Sequence, residues 1–267
     1  MRALLLVTMF GGVATAAEIM ETRREKVRPM TTDRPDQTEG AYTVPKGWFQ
    51  IESGLLSHSS RLNTEERTEI TNYAEVNLKY GIAQDVDLQA IWVPHVRHRH
   101  KDAGGQVIDE AEEHGDVFFR AKWNVVGNDE GAYALSLMPW VKAPLAEPTL
   151  GNNMWEFGLG INQALDLGGG FSVGSSLFLN QAVNLDNDHY FEPTISAVLG
   201  WAATDRVGVY VEVFSAWRMD EERYWQTSLD GGITFLMTDN LQFDAGVNWF
   251  FRGECALNPF VGVSWRF

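Results

Sequence analysis

Four histidines lie in one charged stretch of the chain: His95, His98 and His100 are close together, and His114 follows. Imidazole nitrogens bind Zn²⁺ and Cu²⁺ well, so one interpretation is a metal site. The alternative is a solvated loop whose cations pair with neighbouring acids or contact lipopolysaccharide phosphates. The acids available for such pairing are Asp109, Glu110, Glu112 and Glu113. Because these partners are so close in sequence, we predict the solvated loop, no bound metal and no cofactor.

His58 and Ser60 are the second candidate for chemistry. Residues two apart on a strand share a face, as a Ser–His nucleophile and base would require. The triplet His-x-Ser is common, however, and the sequence identifies no third residue to orient the histidine. We therefore predict that the protein is not an enzyme, and a lipid hydrolase is the weakest alternative.

The net charge and the cysteine content argue against several functions and kinds of site. Lys and Arg total 21 against 36 Asp and Glu, which gives a net charge of −15. Nucleic-acid binding needs a basic surface, so this balance argues against a nucleic-acid partner. Cys255 is the single cysteine in the sequence, so it can form neither an internal disulfide nor a thiolate metal cluster.

The N-terminus has the features of a secretory signal peptide. Arg2 precedes an apolar run over residues 3–10, and small residues follow at Ala16 and Ala17. This pattern predicts cleavage after Ala16 or Ala17, so that residues 1–17 are the signal peptide. The run is too short for a membrane helix, which needs about 20 apolar residues. We therefore expect an exported protein.

From Trp48 onward, successive segments alternate apolar and polar side chains, which is the period of a strand with two unlike faces. Short Gly/Asp/Asn turns follow the even segments, and longer, more charged connections follow the odd ones. This arrangement is typical of bacterial outer-membrane barrels. We predict an all-β fold, a twelve-stranded antiparallel transmembrane β-barrel of the outer-membrane type over residues 47–267. The predicted strands are 47–58, 69–80, 85–96, 115–126, 132–142, 154–165, 170–181, 190–201, 205–217, 223–236, 240–251 and 257–267.

The apolar faces of these strands must contact either lipid or a protein core. In the eleventh predicted strand, Leu241, Phe243 and Trp249 share one face, and Gln242 and Asp244 share the other. A soluble sandwich or lipocalin-like barrel would show the same alternation with the apolar face inside. Tryptophans near both ends of the strands favour a membrane, because indole rings settle at the lipid–water interface. The predicted aromatic belts contain Trp155, Trp217, Trp225 and Trp249 at the long-loop ends and Trp123, Trp201 and Trp265 at the short-turn ends.

The last predicted strand runs to the C-terminal Phe267, with Val261, Val263 and Trp265 on the same face. This strand must pair with the first one, because open backbone groups at an edge in lipid are costly. We interpret the terminal aromatic residue as the insertion signal recognised by the barrel assembly machinery. Outer-membrane lipids and lipopolysaccharide are the other expected partners.

The polar faces would line a lumen, and their charged residues are candidates for selecting solutes. Barrels of intermediate strand number leave room for a narrow channel, which side chains or a plug can fill. The alternative is that these charges pair with each other across the lumen and stiffen the barrel. The candidates are Glu52, Glu75, Lys79, Arg120, Lys122, Glu156, Glu212, Asp230, Asp244 and Arg266.

Residues 18–46 precede the barrel, are polar and show no strand period. By topology this segment begins in the periplasm. We predict that it forms a plug in the lower mouth, where Arg34 contacts lumen carboxylates such as Glu52 or Glu75. A loose periplasmic tail is the alternative. The plug candidates are Asp33, Arg34 and Asp36.

The same segment resembles the opening of a family of outer-membrane proteins classed as transporters and named for a meta-cleavage pathway of phenol degradation. The family pattern is Thr-Asp-Arg-Pro-Asp, then Thr-Val-Pro-x-Gly, then an aromatic-Gln-x-Glu-x-Gly strand. These motifs occur here at residues 32–36, 43–47 and 49–54. The resemblance implies passage of small molecules, aromatic ones among them, through the outer membrane, and it identifies no substrate.

Taken together, the pattern and the resemblance predict an outer-membrane channel or transporter for small solutes. A structural or lipid-binding barrel without transport is the alternative from another class, and an outer-membrane lipid hydrolase comes third.

Overall fold

The computed structural model describes residues 27–62, 66–129, 131–146, 151–184, 186–221, 223–253 and 256–267. The predicted signal peptide and Cys255 lie outside these ranges. Within them, no helix is long and apolar enough to cross a membrane.

Among the residues that the structure describes, fourteen strand segments follow one another. One end of the strands carries short turns, such as residues 82–85, and the other carries the longer connections, so we call them the turn end and the loop end. The segments are β1 (Phe49–Leu62), β2 (Glu66–Gly81), β3 (Val86–Trp92), β4 (His95–Asp102), β5 (Val107–Glu113), β6 (Val117–Val126), β7 (Tyr133–Ala143), β8 (Glu156–Gly168), β9 (Phe171–Val183), β10 (His189–Ala202), β11 (Val207–Trp217), β12 (Trp225–Thr238), β13 (Leu241–Arg252) and β14 (Ala256–Arg266).

These segments close into one barrel. β1 pairs with β14 on one side and with β2 on the other, which joins the two ends of the sheet. β3 and β4 both pair with β2 and together make one barrel strand. β6 pairs with β3, and β5 pairs with β4, so β5 and β6 together make the next barrel strand. The fourteen segments therefore form twelve barrel strands, all antiparallel, and the predicted fold is confirmed.

The β4–β5 hairpin corrects one prediction. The stretch 97–114, predicted as a long loop, instead extends two barrel strands. Arg99 Nε donates to Glu110 Oε1 at 2.9 Å, and Arg97 pairs with Glu112. Opposite charges that face each other across two strands stabilise their pairing. Because charged residues occupy both faces of the hairpin, the apolar–polar alternation that marks the other strands is missing here.

The apolar faces of the strands point outward and the polar faces point inward. Phe157 is 54% exposed on the outside, whereas Lys122 and Glu212 are each 1% exposed. A soluble barrel would bury the apolar face instead, so this outward surface is the one that lipid covers. Of the seven predicted belt tryptophans, six are at least 41% exposed. The seventh, Trp217, packs against Trp225 with their ring centroids 5.9 Å apart.

Phe267 completes the seam between the first and last strands. Its backbone N–H donates to the Phe49 carbonyl at 2.9 Å, and the Phe49 N–H donates back at 2.9 Å. The Phe267 ring lies 5.9 Å from the Phe49 ring and 4.5 Å from the Trp265 ring. The terminal residue therefore closes the barrel at the turn end, and its recognition by the assembly machinery stays a prediction.

Candidate lumen site

An N-terminal stretch enters the barrel, and we call residues 27–46 the inner segment. It hydrogen-bonds to inward residues of β1, β2, β6, β9, β10, β11, β12 and β13, strands that lie around the whole ring. Pro29, Pro35 and Pro45 lack N–H donors and disfavour strand pairing, so the segment stays out of the sheet. Several of its backbone N–H groups, among them those of Asp33, Gln37 and Val44, donate instead to carboxylates on the barrel wall.

Two lysines hold the inner segment on one side of the lumen. Lys122 Nζ donates to Asp33 Oδ1 at 2.6 Å, and Lys79 Nζ contacts both Asp33 and Glu52. The side chains of Lys122 and Lys79 are 1% and 3% exposed, so these carboxylates compensate charges that have little contact with bulk water. Asp33, one of the plug candidates, is therefore contacted by three of the predicted lumen residues, Glu52, Lys79 and Lys122.

Arg34 contacts two of the predicted lumen carboxylates, Asp244 through its side chain and Glu52 through its backbone. Its Nη2 donates to Asp244 Oδ1 at 2.7 Å and its Nε to Asp244 Oδ2 at 3.2 Å, a two-point ion pair. Glu52 instead accepts the backbone N–H groups of Asp33 and Arg34, each at 3.1 Å. Arg34 thus meets lumen carboxylates as predicted, Glu52 among them, but its guanidinium is bound by Asp244. Strand register places Asp244 next to the space above Gly262, where the guanidinium lies.

Neutral donors hold the inner segment on the opposite side. Gln37 N donates to Glu212 Oε2 at 2.8 Å, and Gln37 Nε2 donates to Asp230 Oδ2 at 2.6 Å. Thr38 Oγ1 donates to Glu212 Oε1 at 2.5 Å. Asp36, the third plug candidate, is half-buried near Glu212. The donors described here for Glu212 and Asp230 are uncharged groups, in contrast to the lysines on the other side.

Both ends of the inner segment are held at the turn end. Arg28 Nη1 lies 2.7 Å from Asp129 Oδ1, in the turn between β6 and β7. Partial burial acts to raise the pKa of Asp129, but hydrogen bonds from Gln84 and Arg28 lower it below its ordinary value. Thr43 N donates to Asn128 Oδ1 at 3.1 Å. The middle of the segment, between these two attachments, reaches the interior of the barrel.

Wall glycines make room for the Arg34 side chain. A Cβ added to Gly262 would lie 2.2 Å from Arg34 Nη2, and one added to Gly54 would lie 3.1 Å from Arg34 Nη1. The first distance is far inside van der Waals contact, so any other residue at Gly262 must displace the guanidinium.

We expect Gly262→Ala to push Arg34 away from Asp244 and loosen the inner segment. The backbone N–H groups of residues 33–39 should then exchange with solvent about tenfold faster, as a loss of about 1.4 kcal/mol of local stability predicts. Gly231→Ala is the matched control, because its new Cβ would meet its nearest atom, the Tyr210 carbonyl oxygen, at an ordinary 3.4 Å. Equal exchange rates in the two variants would contradict this role of Gly262.

Aromatic rings also face the lumen, and the sequence analysis did not single them out. The ring centroids of Phe118 and Trp140 are 5.8 Å apart. A Cβ added to Gly158 would lie 2.5 Å from Trp140 Nε1, and one added to Gly160 would lie 2.6 Å from the Phe178 ring. These rings therefore lie over glycines of the neighbouring strand. Glycines on the polar face of a strand, beside an aromatic residue on the next strand, are the sequence signal that could have revealed them.

Glu156 lies in a separate polar cluster near the loop end. Lys142 Nζ is 3.2 Å from Asp116 Oδ2, 3.3 Å from Glu156 Oε1 and 2.8 Å from Asn152 Oδ1. Glu156 also accepts the Asn152 side-chain amide at 2.7 Å. This cluster ties the connection between β7 and β8 to the wall and does not touch the inner segment through these contacts.

The other lumen candidates are spread along the barrel. Arg120 pairs with Glu39 of the inner segment. Arg266 lies at the turn end, where its Nη1 donates to the Arg28 carbonyl at 2.9 Å. Glu75 is half-buried on β2. The structure thus brings most of the predicted charges to the inner segment, while Glu156 and Arg266 lie near opposite ends.

The histidine stretch forms the β4–β5 hairpin and its continuation. His100 Nε2 lies 2.7 Å from Glu66 Oε2, and His95 Nε2 lies 3.8 Å from Glu112 Oε2. In the part of the chain that the structure describes, no group of three or more His, Cys, Asp or Glu residues is placed to hold a metal ion.

His58 contacts a threonine on the neighbouring strand. Its Nδ1 lies 2.9 Å from Thr71 Oγ1, and the two residues are register partners in the β1–β2 pair. A cross-strand contact of this kind orients the imidazole.

The family model described as "Putative MetA-pathway of phenol degradation" matches residues 32–256. The chain belongs to this family. The match begins in the inner segment and continues to the start of β14, so the family pattern includes both the segment and the barrel around it. No curated protein sequence matches the chain.

Solved structures with a similar fold are outer-membrane proteins. The COG4313 outer membrane channel from Pseudomonas putida F1 matches with a TM-score of 0.65 and 12% identity, over 87% of this chain and 100% of that one. The transport unit of the autotransporter AIDA-I from Escherichia coli has a TM-score of 0.54 and 12% identity, over 89% and 93%. The NanC porin has a TM-score of 0.52 and 9% identity, over 80% and 98%. At these identities the likeness establishes the fold, an outer-membrane β-barrel.

Proposed function

We propose that this protein is a channel in the bacterial outer membrane that passes small solutes, and that its inner segment is a plug that restricts the passage. The family membership, the fold shared with the Pseudomonas putida channel and the outward apolar surface with its aromatic belts all support this function. The polar residues that line the lumen are compatible with water.

The observation that carries the proposal is the way in which the inner segment is held. It is attached mainly by ion pairs and hydrogen bonds, such as Arg34 to Asp244 and Asp33 to Lys122. Water can replace polar contacts of this kind when the segment moves, which is not true of apolar packing. The barrel itself closes through the β1–β14 pairing, without the inner segment. The plug can therefore shift while the wall stays folded.

The solutes that we propose are small compounds, including aromatic ones. Phe118, Trp140 and Phe178 offer ring surfaces inside the lumen, on which an aromatic solute can stack. The family name points in the same direction, since it refers to phenol degradation. We assign the protein no enzymatic activity, and phospholipid hydrolysis that His58→Ala abolishes would contradict that assignment.

Planar-bilayer recording of the refolded mature protein tests the channel proposal. We expect ion conductance, and swelling of protein-containing liposomes in solutions of small phenols and sugars. A heat-modifiable band on a gel would show that the barrel is folded in each preparation. If folded protein gives neither conductance nor swelling, the proposal fails and a structural or lipid-binding barrel takes its place.

A further inference from the structure

Four inward residues occupy one level of the wall on adjacent strands. Glu212 is the register partner of Asp230, Asp230 of Asn248, and Asn248 of Asn258, so that the row crosses β11, β12, β13 and β14. Adjacent strands lie about 4.7–4.9 Å apart, which makes neighbours in the row close enough to contact one ligand together. We call these four residues the acceptor row.

Several oxygens of the acceptor row are buried and unpaired. The Oδ1 atoms of Asp230, Asn248 and Asn258 have no hydrogen-bond partner among the residues that the structure describes. Asn248 is only 8% exposed. Glu212 differs, because Thr38 and Gln37 donate to both of its carboxylate oxygens. Buried acceptors without donors are costly, so three of them side by side indicate a place for a ligand that donates N–H groups.

Aromatic residues lie one level nearer the turn end than the acceptor row. Tyr210 is the register partner of Gly232, Gly232 of Gly246, and Gly246 of Phe260. A Cβ added to Gly246 would lie 2.6 Å from Phe260 Cζ and 2.9 Å from Tyr210 Oη, so the two rings converge over this glycine. Tyr210 Oη is also buried without a partner among the described residues. Aromatic faces attract cations, and the hydroxyl adds one more acceptor.

Two carboxyl side chains, those of Glu212 and Asp230, lie at this level. The described donors to Glu212 and Asp230 are the neutral groups of Gln37, Thr38 and Ser228. The nearby guanidinium of Arg34 is bound to Asp244 at 2.7 Å and lies 5.6 Å from the centroid of the Phe260 ring, so that ring already has a cation over it.

We infer that the acceptor row binds an organic cation with N–H donors, an ammonium or guanidinium group, whose positive charge lies against Asp230 and the Tyr210 ring. Unpaired amide oxygens, a carboxyl group and an aromatic face together match such a group. A Ca²⁺ ion would instead need about six to eight oxygen ligands around it. This inference rests on the proposed function, because it names a solute class for the same lumen.

Calorimetry on the folded, detergent-solubilised mature protein tests the site without requiring conductance. We expect n-butylammonium and methylguanidinium to bind, tetramethylammonium to bind at least about tenfold more weakly because it has no N–H group, and butyrate not to bind. Asn248→Ala should weaken n-butylammonium binding at least about tenfold. Asn258→Ala is a second variant in case the first does not fold. Asp205→Asn, a charge change in an exposed turn, should leave binding unchanged.

The outcomes separate this inference from the proposed function. Binding by a protein that does not conduct would support the site and overturn the channel. Conductance without binding would support the channel and overturn the site. Equal affinity for n-butylammonium and tetramethylammonium, or wild-type affinity in folded Asn248→Ala and Asn258→Ala proteins, would overturn the inference.

Discussion

Deleting residues 31–39 should raise the single-channel conductance severalfold over that of the complete protein. This stretch contains every inner-segment residue that contacts the lysines, Arg120, Glu212, Asp230 or Asp244. Its removal takes peptide out of the lumen and exposes charged walls to water, both of which widen the path for ions. Planar-bilayer recordings of the two refolded proteins, made side by side in the same salt, would measure the difference.

A control must separate an open lumen from a damaged wall. Heat modifiability on gels and far-ultraviolet circular dichroism should be the same for the deletion variant and the complete protein, because the closing β1–β14 pairs lie outside the deleted residues. Unchanged conductance in a folded deletion variant would rule out the plug while leaving the barrel intact.

Asp33→Asn should shift the inner segment strongly towards its undocked state. The substitution removes the one carboxylate that contacts both Lys79 and Lys122, and leaves Lys122 with Glu39 at 3.8 Å. Breaking a buried ion pair costs about 3–5 kcal/mol. At the lower limit of this range, the equilibrium constant for docking would fall about a hundredfold. Because undocking lets water reach the lysines, we expect more time in a high-conductance level rather than unfolding of the barrel.

A double-mutant cycle makes this prediction specific. Lys122→Gln alone leaves Asp33 with Lys79, and the double variant removes the pair entirely. If Asp33 and Lys122 act together, the effect of the double variant on docking should be smaller than the sum of the two single effects. Additive effects, or an equal change in the exposed control Asp205→Asn, would show that the ion pair does not hold the plug.

Alternation along each strand was sufficient to predict the wall of this protein. Side chains point to opposite faces every second residue, so Phe157 outside and Glu212 inside could be assigned without knowing any neighbour. The alternation of short turns and long connections between these strands then supported a barrel with an even number of strands. The same argument failed at the β4–β5 hairpin, because Arg97, Arg99 and Glu112 replace the apolar residues on which the period depends.

Contacts between distant parts of the chain could not be predicted in this way. Arg34 and Asp244 are 210 positions apart, and the sequence offered several equally acidic partners on the inward faces. Which one is reached depends on strand register and on the empty space above Gly262. Register also aligned Asp230, Asn248 and Asn258, whose unpaired oxygens gave no signal in sequence.

The sequence by itself therefore determined an outer-membrane barrel of twelve strands with lipid-facing and lumen-facing sides, because these depend on a local period of two residues. Only the tertiary structure decided how the inner segment is held and which inward residues become neighbours. Those features depend on how strands from opposite ends of the chain align, and a shift of one residue in any pairing would have given a different lumen.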